Sequence, residues 1–279
     1  MGDDKSKTQW GDSYRLVAAE KWKAKSATMG RAVTETLVEY AAPRAGMQVL
    51  DLASGTGEPA ISLAKIVGAD GHVSAIDLSA DLLAIAAQRA EQRGLTNLSF
   101  HQADAHHLPF PDEMFDLATC RFGVMFFADV SQALRELRRV LRQGARACFV
   151  AWGGFEQPYW QSTMGVVLKH VGGPAIAPGG QDLFRFAKPG SLSAALSTAG
   201  FHRVQEEVRT VPWTWPGEAE EVWEYAKAVS APFRGWLQRV PASQWPEIES
   251  DIYREISKYR RDEGICFGAE IVLASGEKP

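Results

Sequence analysis

Between Met47 and Trp152 five short apolar runs follow one another at regular spacing, separated by helix-length segments and turn-rich loops. The runs are "MQVLDLA", "HVSAIDL", "NLSFHQAD", "FDLATC" and "RACFVAW". Each is too brief for a helix and reads as a strand. The intervening segments carry helix punctuation. Pro59 suits a first helical turn and Gly68 an end. Ser79 reads as an N-cap, with the helix running to Gly94. "VSQALRELRRVLRQG" sets Val130, Leu134, Leu137 and Leu141 on one stripe, with Gly144 expected to close it. Such an alternation predicts an α/β fold, a doubly wound parallel sheet.

The flanks differ. Residues 1–45 read as a helical lid rich in aromatics, with Trp10, Tyr14 and Trp22. Residues 153–190 are dense in Gly, Pro and aromatics ("GGFEQPYW", "GGPAIAPGGQ") and read as irregular cover. "SLSAALSTAG" is a short helix, "FHRVQEEVRTVPW" a strand, and 217–263 mostly helical with breaks at Pro232, Pro241 and Pro246. "ICFGAEIVLAS" is the closing strand. The expected organisation is therefore a lid at 1–45, a core at 46–152, cap insertions with a sixth strand at 153–263, and the closing strand at 264–279. With 279 residues, 46% of them hydrophobic, one α/β domain plus a cap can be filled.

Charge and cysteine usage narrow the partners. A net charge of -4 with no long basic run argues against a nucleic-acid partner. Cys120, Cys148 and Cys266 are far apart, and two lie in apolar runs, which reads as reduced core thiols without metal or disulfide. "MGDDKSKTQW" lacks the apolar stretch of a signal peptide, and no run reaches membrane-spanning length. Gly2 to Ser6 formally fits a myristoylation pattern, but no second anchor accompanies it. The expectation is a cytoplasmic protein, monomer or homodimer, acting on a small molecule.

In a doubly wound sheet, ligands bind beyond the carboxyl ends of the strands at the topological switch point. Those ends are Asp51 to Gly57, Asp77-Leu78, Asp104-Ala105 and Cys120-Arg121-Phe122. Gly55-Thr-Gly57-Glu-Pro-Ala60 fits G-x-G-x-x-A, a dinucleotide fingerprint. Asp77, 20 residues beyond Gly57, can accept from both hydroxyls of a ribose, a role common to nicotinamide and S-adenosylmethionine sites. The first loop discriminates. Asp51 precedes the turn and Glu58 lies in it, and two carboxylates would repel a pyrophosphate at that range. They suit a ligand carrying an ammonium and a sulfonium. Asp104 can accept from an adenine amino group, and the Ala105 N–H can donate to a ring nitrogen.

The segments "VLDLASGTGEPAISLAKIVG", "AIDLSADLL", "ADAHHLPFPDEMFDLATCRFGVMFF" and "ELRRVLRQGARACFVAW" resemble the class I S-adenosylmethionine-dependent methyltransferases, nearest to the ubiquinone/menaquinone-biosynthesis type, over about residues 45–152. The resemblance implies a Rossmann-like seven-stranded sheet with an antiparallel last strand and a helical cap. It implies that Asp51, Ala53, Gly55 and Gly57 line the methionine end of S-adenosylmethionine, that Asp77 holds the ribose, that Leu78 packs on the adenine and that Asp104 with Ala105 reads its edge. It also brings Arg121 to the methionine moiety. Ala53 departs from the glycine usual there, and an ordinary φ is expected of it.

Methyl transfer needs alignment more than acid–base chemistry, and a base only where the acceptor must lose a proton. His106, His107 and His170 are the candidate bases; His101 and His202 fall within strands. Trp10, Tyr14, Trp22, Phe126, Tyr159 and Trp160 are candidates for a pocket holding a flat apolar acceptor, with O or C the expected acceptor atom and S-adenosylhomocysteine the by-product. "QPYW" is similar to the loop of amino-methylating enzymes but follows the fifth strand, where that loop follows the fourth. A nicotinamide-dependent oxidoreductase, or a non-catalytic S-adenosylmethionine-binding module, are the rival readings.

Overall fold

The computed structural model describes residues 20–173, 182–229 and 231–279. Seven strands run in the order β3-β2-β1-β4-β5-β8-β6: β1 Gln48–Leu52, β2 His72–Asp77, β3 Leu98–Gln102, β4 Phe115–Arg121, β5 Leu141–Trp152, β6 His202–Trp215 and β8 Gly264–Glu277. A two-residue β7, Arg260–Arg261, hairpins onto β8 and was not expected. β1 to β5 pair in parallel, and β8 lies antiparallel to β5, with Phe149 opposite Ala274. The direction of winding reverses between β1 and β4, so the loops after those two strands border the switch point.

By contact clustering the chain forms two compact units. One takes Thr34–Trp152, Arg185–Arg209 and Ile271–Pro279; the other takes the described parts of Met1–Val33, Gly153–Phe184 and Thr210–Glu270. Residues 34–45 thus cluster with the sheet.

In the sheet unit, the runs of β1 and β2 become strands covered on both faces, while β3, at the edge, is only partly buried. Val49, Leu50, Leu52, Val73, Ala75 and Ile76 are all buried. The helices are α2 Arg31–Ala41, α3 Ala60–Val67, α4 Ala80–Glu91, α5 Val130–Val140 and α8 Ser191–Thr198. Ser79 caps α4 by accepting the Leu82 N–H, as expected. Pro59 sits at the N-cap of α3, one residue ahead of its expected place. α5 buries Val130, Ala133, Leu134, Leu137 and Val140 along one stripe, but it ends at Val140, before Gly144. The Glu113 and Met114 N–H groups donate to the Arg139 and Val140 carbonyls, and Leu141 turns extended to pair with Phe115. Its last carbonyls engaged by the approach to β4, the helix stops, and Gly144 falls within β5.

The other unit contains α1 Glu20–Met29, α6 Pro158–Ser162, α7 Met164–Val171, α9 Ala219–Val229, α10 Arg234–Leu237 and α11 Trp245–Ser257. Two of these correct the expectation of irregular cover over 153–190. Pro158 opens α6, where its missing N–H costs nothing, and the left-handed Gly172 closes α7. Pro246 likewise opens α11 where a break was expected. The core is aromatic: Phe155, Trp160, Phe184, Phe233 and Trp236 meet at centroid separations of 4.8–6.4 Å. Among the described residues no helix is long and apolar enough to cross a membrane.

Candidate functional site

The loop from Ala53 to Pro59 is held by its own backbone and by the end of β2. Both the N–H and the hydroxyl of Ser54 donate to the Ile76 carbonyl, at 2.9 and 3.2 Å. The Gly55 N–H donates to Asp77 Oδ2 at 2.9 Å, and the Ser79 N–H to Asp77 Oδ1 at 2.9 Å. Asp77 therefore clamps the glycine loop to the start of α4, a task the sequence did not announce. A Cβ at Gly57 would come 2.8 Å from Ile61 Cδ1 and 3.2 Å from Ala86 Cβ, so this glycine lets α3 and α4 close on the turn. At Gly55 a Cβ would meet nothing within 4 Å. Ala53 corrects the expectation of an ordinary backbone: its φ is +52°, left-handed, at the position where a glycine would be unstrained.

Glu58 turns back onto α3, accepting the Ser62 hydroxyl at 2.7 Å and its N–H at 3.3 Å. Its charge thus occupies the helix N-terminus that a pyrophosphate would need.

Asp51 lies in β1 opposite Thr119 of β4 and is 0% exposed. Oδ1 accepts the Thr119 hydroxyl at 2.6 Å, while Oδ2 has no hydrogen-bond partner. Burial pushes its carboxyl up to about 7, against the pull of the Thr119 bond and the Arg121 charge and with the push of Glu58. Burial also raises Asp77, opposed by the N–H groups of Ser79, Gly55 and Leu78. Asp51 is thus fully buried in the sheet, with one oxygen held by Thr119 of β4. Arg121 donates from its side chain to the Thr34 hydroxyl of α2 at 2.9 Å. Thr119 and Thr34 were missed; a polar Thr amid the apolar run of β4 was the available signal for the first.

Leu78 is 45% exposed at the end of β2, and Ala105 is buried beside Asp104. Asp104 Oδ1 accepts the His106 N–H at 3.0 Å and the ring Nδ1–H at 2.5 Å. His106 Nε2 accepts the Asp129 N–H at 3.1 Å, so both ring nitrogens are engaged and His106 is not posed as a base. His107 Nε2 lies 3.2 Å from the Gln132 amide, and His170 pairs with Asp251 at 3.3 Å on the surface of the other unit. After β4, Phe122 is left-handed at φ +56° and stacks on Trp152 at 4.3 Å. Phe126 lies in the 3-10 turn that follows. Tyr159 and Trp160 are buried in the aromatic core of the other unit; Trp22 falls in α1, and Trp10 and Tyr14 lie outside the described residues.

Comparison with known proteins agrees with this layout. Residues 25–172, just over half of the chain, match the model of the ubiE/COQ5 methyltransferase family. The chain belongs to that family. A relative within it, the ubiquinone/menaquinone biosynthesis C-methyltransferase UbiE of Cellvibrio japonicus, is 41% identical over 110 residues, covering 39% of this chain and 44% of the relative. The demethylmenaquinone methyltransferase of Thermus thermophilus is 36% identical over 182 residues, covering 59% and 78%. The chain spans about half the length of several of the curated relatives it matches. The solved YcgJ protein of Bacillus subtilis shares the fold at a TM-score of 0.55 with 22% identity, over 88% of this chain and 97% of that one.

Proposed function

We propose that this member of the ubiE/COQ5 family is an S-adenosylmethionine-dependent methyltransferase that methylates a ring carbon of a small quinone-like aromatic molecule. The observation that carries the reading is the row of carboxylates Asp51 in β1, Asp77 at the end of β2 and Asp104 just after β3, on three strands that are neighbours in the sheet. The printed functions of the relatives, methyltransferases of ubiquinone and menaquinone biosynthesis, favour the quinone-like acceptor and carbon over oxygen.

Three features fit the cofactor. Among the described residues, a buried carboxylate oxygen of Asp51 has no hydrogen-bond partner, nothing comes within 4 Å of a Cβ at Gly55, and an apolar Leu78 stands exposed where an adenine face would cover it. When bound, S-adenosylmethionine supplies an electrophilic methyl group on a sulfonium. Asp77 would hold the ribose through the acceptor capacity that its carboxylate keeps beyond the N–H groups of Gly55, Ser79 and Leu78. Asp104 and Ala105 would take the adenine edge. Asp51 and Glu58 would favour a cationic ligand above the loop, while Arg121 would face its carboxylate. Residues 46–152 are then the cofactor-binding core. A cytoplasmic setting belongs to the same proposal, supported by the three free thiols.

Calorimetry with S-adenosylhomocysteine tests the reading. Binding at micromolar protein is expected, with no heat from NAD. Absence of S-adenosylhomocysteine binding, or binding of NAD in its place, refutes it.

A further inference from the structure

His106 joins two loops that the strand order keeps apart. Its ring reaches from the turn after β3 to the loop between β4 and α5, while β2 and β1 lie between those strands. On one side Asp104 Oδ1 receives both the backbone N–H and Nδ1 of His106. On the other side the Asp129 N–H can only donate, so Nε2 must accept and Nδ1 must carry the proton. One neutral tautomer satisfies every contact. The ring is steadied edge-on against Phe127 at 6.0 Å, and the His106 carbonyl accepts from the Gln132 amide at 3.1 Å. Asp129 is itself fixed as the N-cap of α5, its carboxylate accepting the Gln132 N–H.

The consequence falls on Asp104. Two donors on one oxygen fix the plane of its carboxylate. An ionised carboxylate accepts hydrogen bonds and has no donor to offer. We propose that His106 is a positioning residue for purine recognition. It holds Asp104 so that the carboxylate accepts from an exocyclic amino group and rejects a purine carrying a carbonyl at that place. The inference rests on the reading that Asp104 faces the adenine of the cofactor.

The test compares S-adenosylhomocysteine with S-inosylhomocysteine, which replaces that amino group by a carbonyl, on the full chain by calorimetry. The wild type should prefer the adenine ligand. His106→Ala should weaken S-adenosylhomocysteine about tenfold, the loss of one charge-assisted hydrogen bond's worth of positioning, and leave the inosine ligand nearly unchanged. Two further variants guard against a folding defect, with the unfolding midpoint as control. His106→Asn keeps an N–H near the place of Nδ1 and should retain the preference. His106→Gln, whose amide reaches toward Nε2 instead, should lose it. Equal weakening of both ligands in every variant, or unchanged affinity and preference in His106→Ala and His106→Gln, overturns the inference while leaving the cofactor reading intact. Failure of the wild type to bind S-adenosylhomocysteine overturns both.

Discussion

Asp77 and Gly55 are locked together: the Gly55 N–H donates to Asp77 Oδ2 at 2.9 Å, although the two lie 22 residues apart. The same carboxylate caps the turn into α4 through the Ser79 N–H. The residue proposed to hold the ribose therefore also shapes the glycine loop, proposed to meet the methionine end. Asp77→Ala should weaken S-adenosylhomocysteine binding by roughly 1.5–3 kcal/mol and also lower unfolding stability by about 1–3 kcal/mol, because two backbone donors lose a charged acceptor. Calorimetry and denaturant unfolding read the two effects separately. A binding loss with no change in stability would mean that the clamp contributes nothing to the fold.

Ala53 gives a prediction of opposite sign. Its left-handed backbone at φ +52° strains an L-residue with a Cβ, and it crowds Gly123, where a Cβ would come 2.5 Å from Ala53 Cβ. Ala53→Gly should stabilise the protein by about 1 kcal/mol. Gly123→Ala should destabilise it by more than 2 kcal/mol, since Cys120 Sγ also stands within 2.8 Å of the added atom and the site is closed. Unfolding midpoints check both. A destabilised Ala53→Gly would show that the strain is relieved in some other way.

The central sheet was legible because its signals are local. Each apolar run, the Ser79 cap and the Gly68 stop depend on a few neighbouring residues, and all stand where the sequence puts them. The errors arose where a distant segment decides. α5 ends at Val140 because Glu113 and Met114 engage its last carbonyls, 26 or more residues earlier in the chain. α6 and α7 were hidden by glycines and a proline that open and close helices as readily as they break them. At the site, the acids at the strand ends were visible one by one. Their partners were not: Thr119 meets Asp51 only through the β1–β4 register, and Thr34 meets Arg121 only by tertiary packing. The left-handed Ala53 was misjudged because the loop's path is set by Ser54 and Asp77 jointly.

Tyr159 offers a test away from the cofactor residues. Its ring lies against Trp160, Trp213 and Phe267, and its hydroxyl is buried without a hydrogen-bond partner. Burial raises the phenol well above its ordinary range, so it stays neutral. An unmade buried hydrogen bond costs about 1–3 kcal/mol, so Tyr159→Phe should leave stability unchanged or raise it, by up to that amount. A clear fall in the unfolding midpoint would contradict the packing described.

Asp51 makes both stability and cofactor affinity depend on pH, in opposite directions. Burial lifts its carboxyl from 3.8 to about 7 in the fold. Below about pH 4 it is protonated folded and unfolded alike, and contributes no difference. Between pH 4 and 7 the unfolded chain releases the proton while the fold keeps it, so stability falls as pH rises and levels off above 7. At roughly 1.4 kcal/mol per unit over about three units, the loss is of the order of 4 kcal/mol. Asp51→Asn should remove this slope. The groups that share the site are Arg121, which favours the ionised form, Glu58, which opposes it, and the buried Cys120 thiol, itself raised by burial and by Asp51. A cationic ligand above the loop favours ionised Asp51, so S-adenosylmethionine should bind more tightly as pH climbs toward 7 and release a proton when it binds below that pH. Calorimetry in two buffers of different ionisation enthalpy measures that proton. If Asp51→Asn releases the same fraction of a proton as the wild type, Asp51 is not the group that titrates.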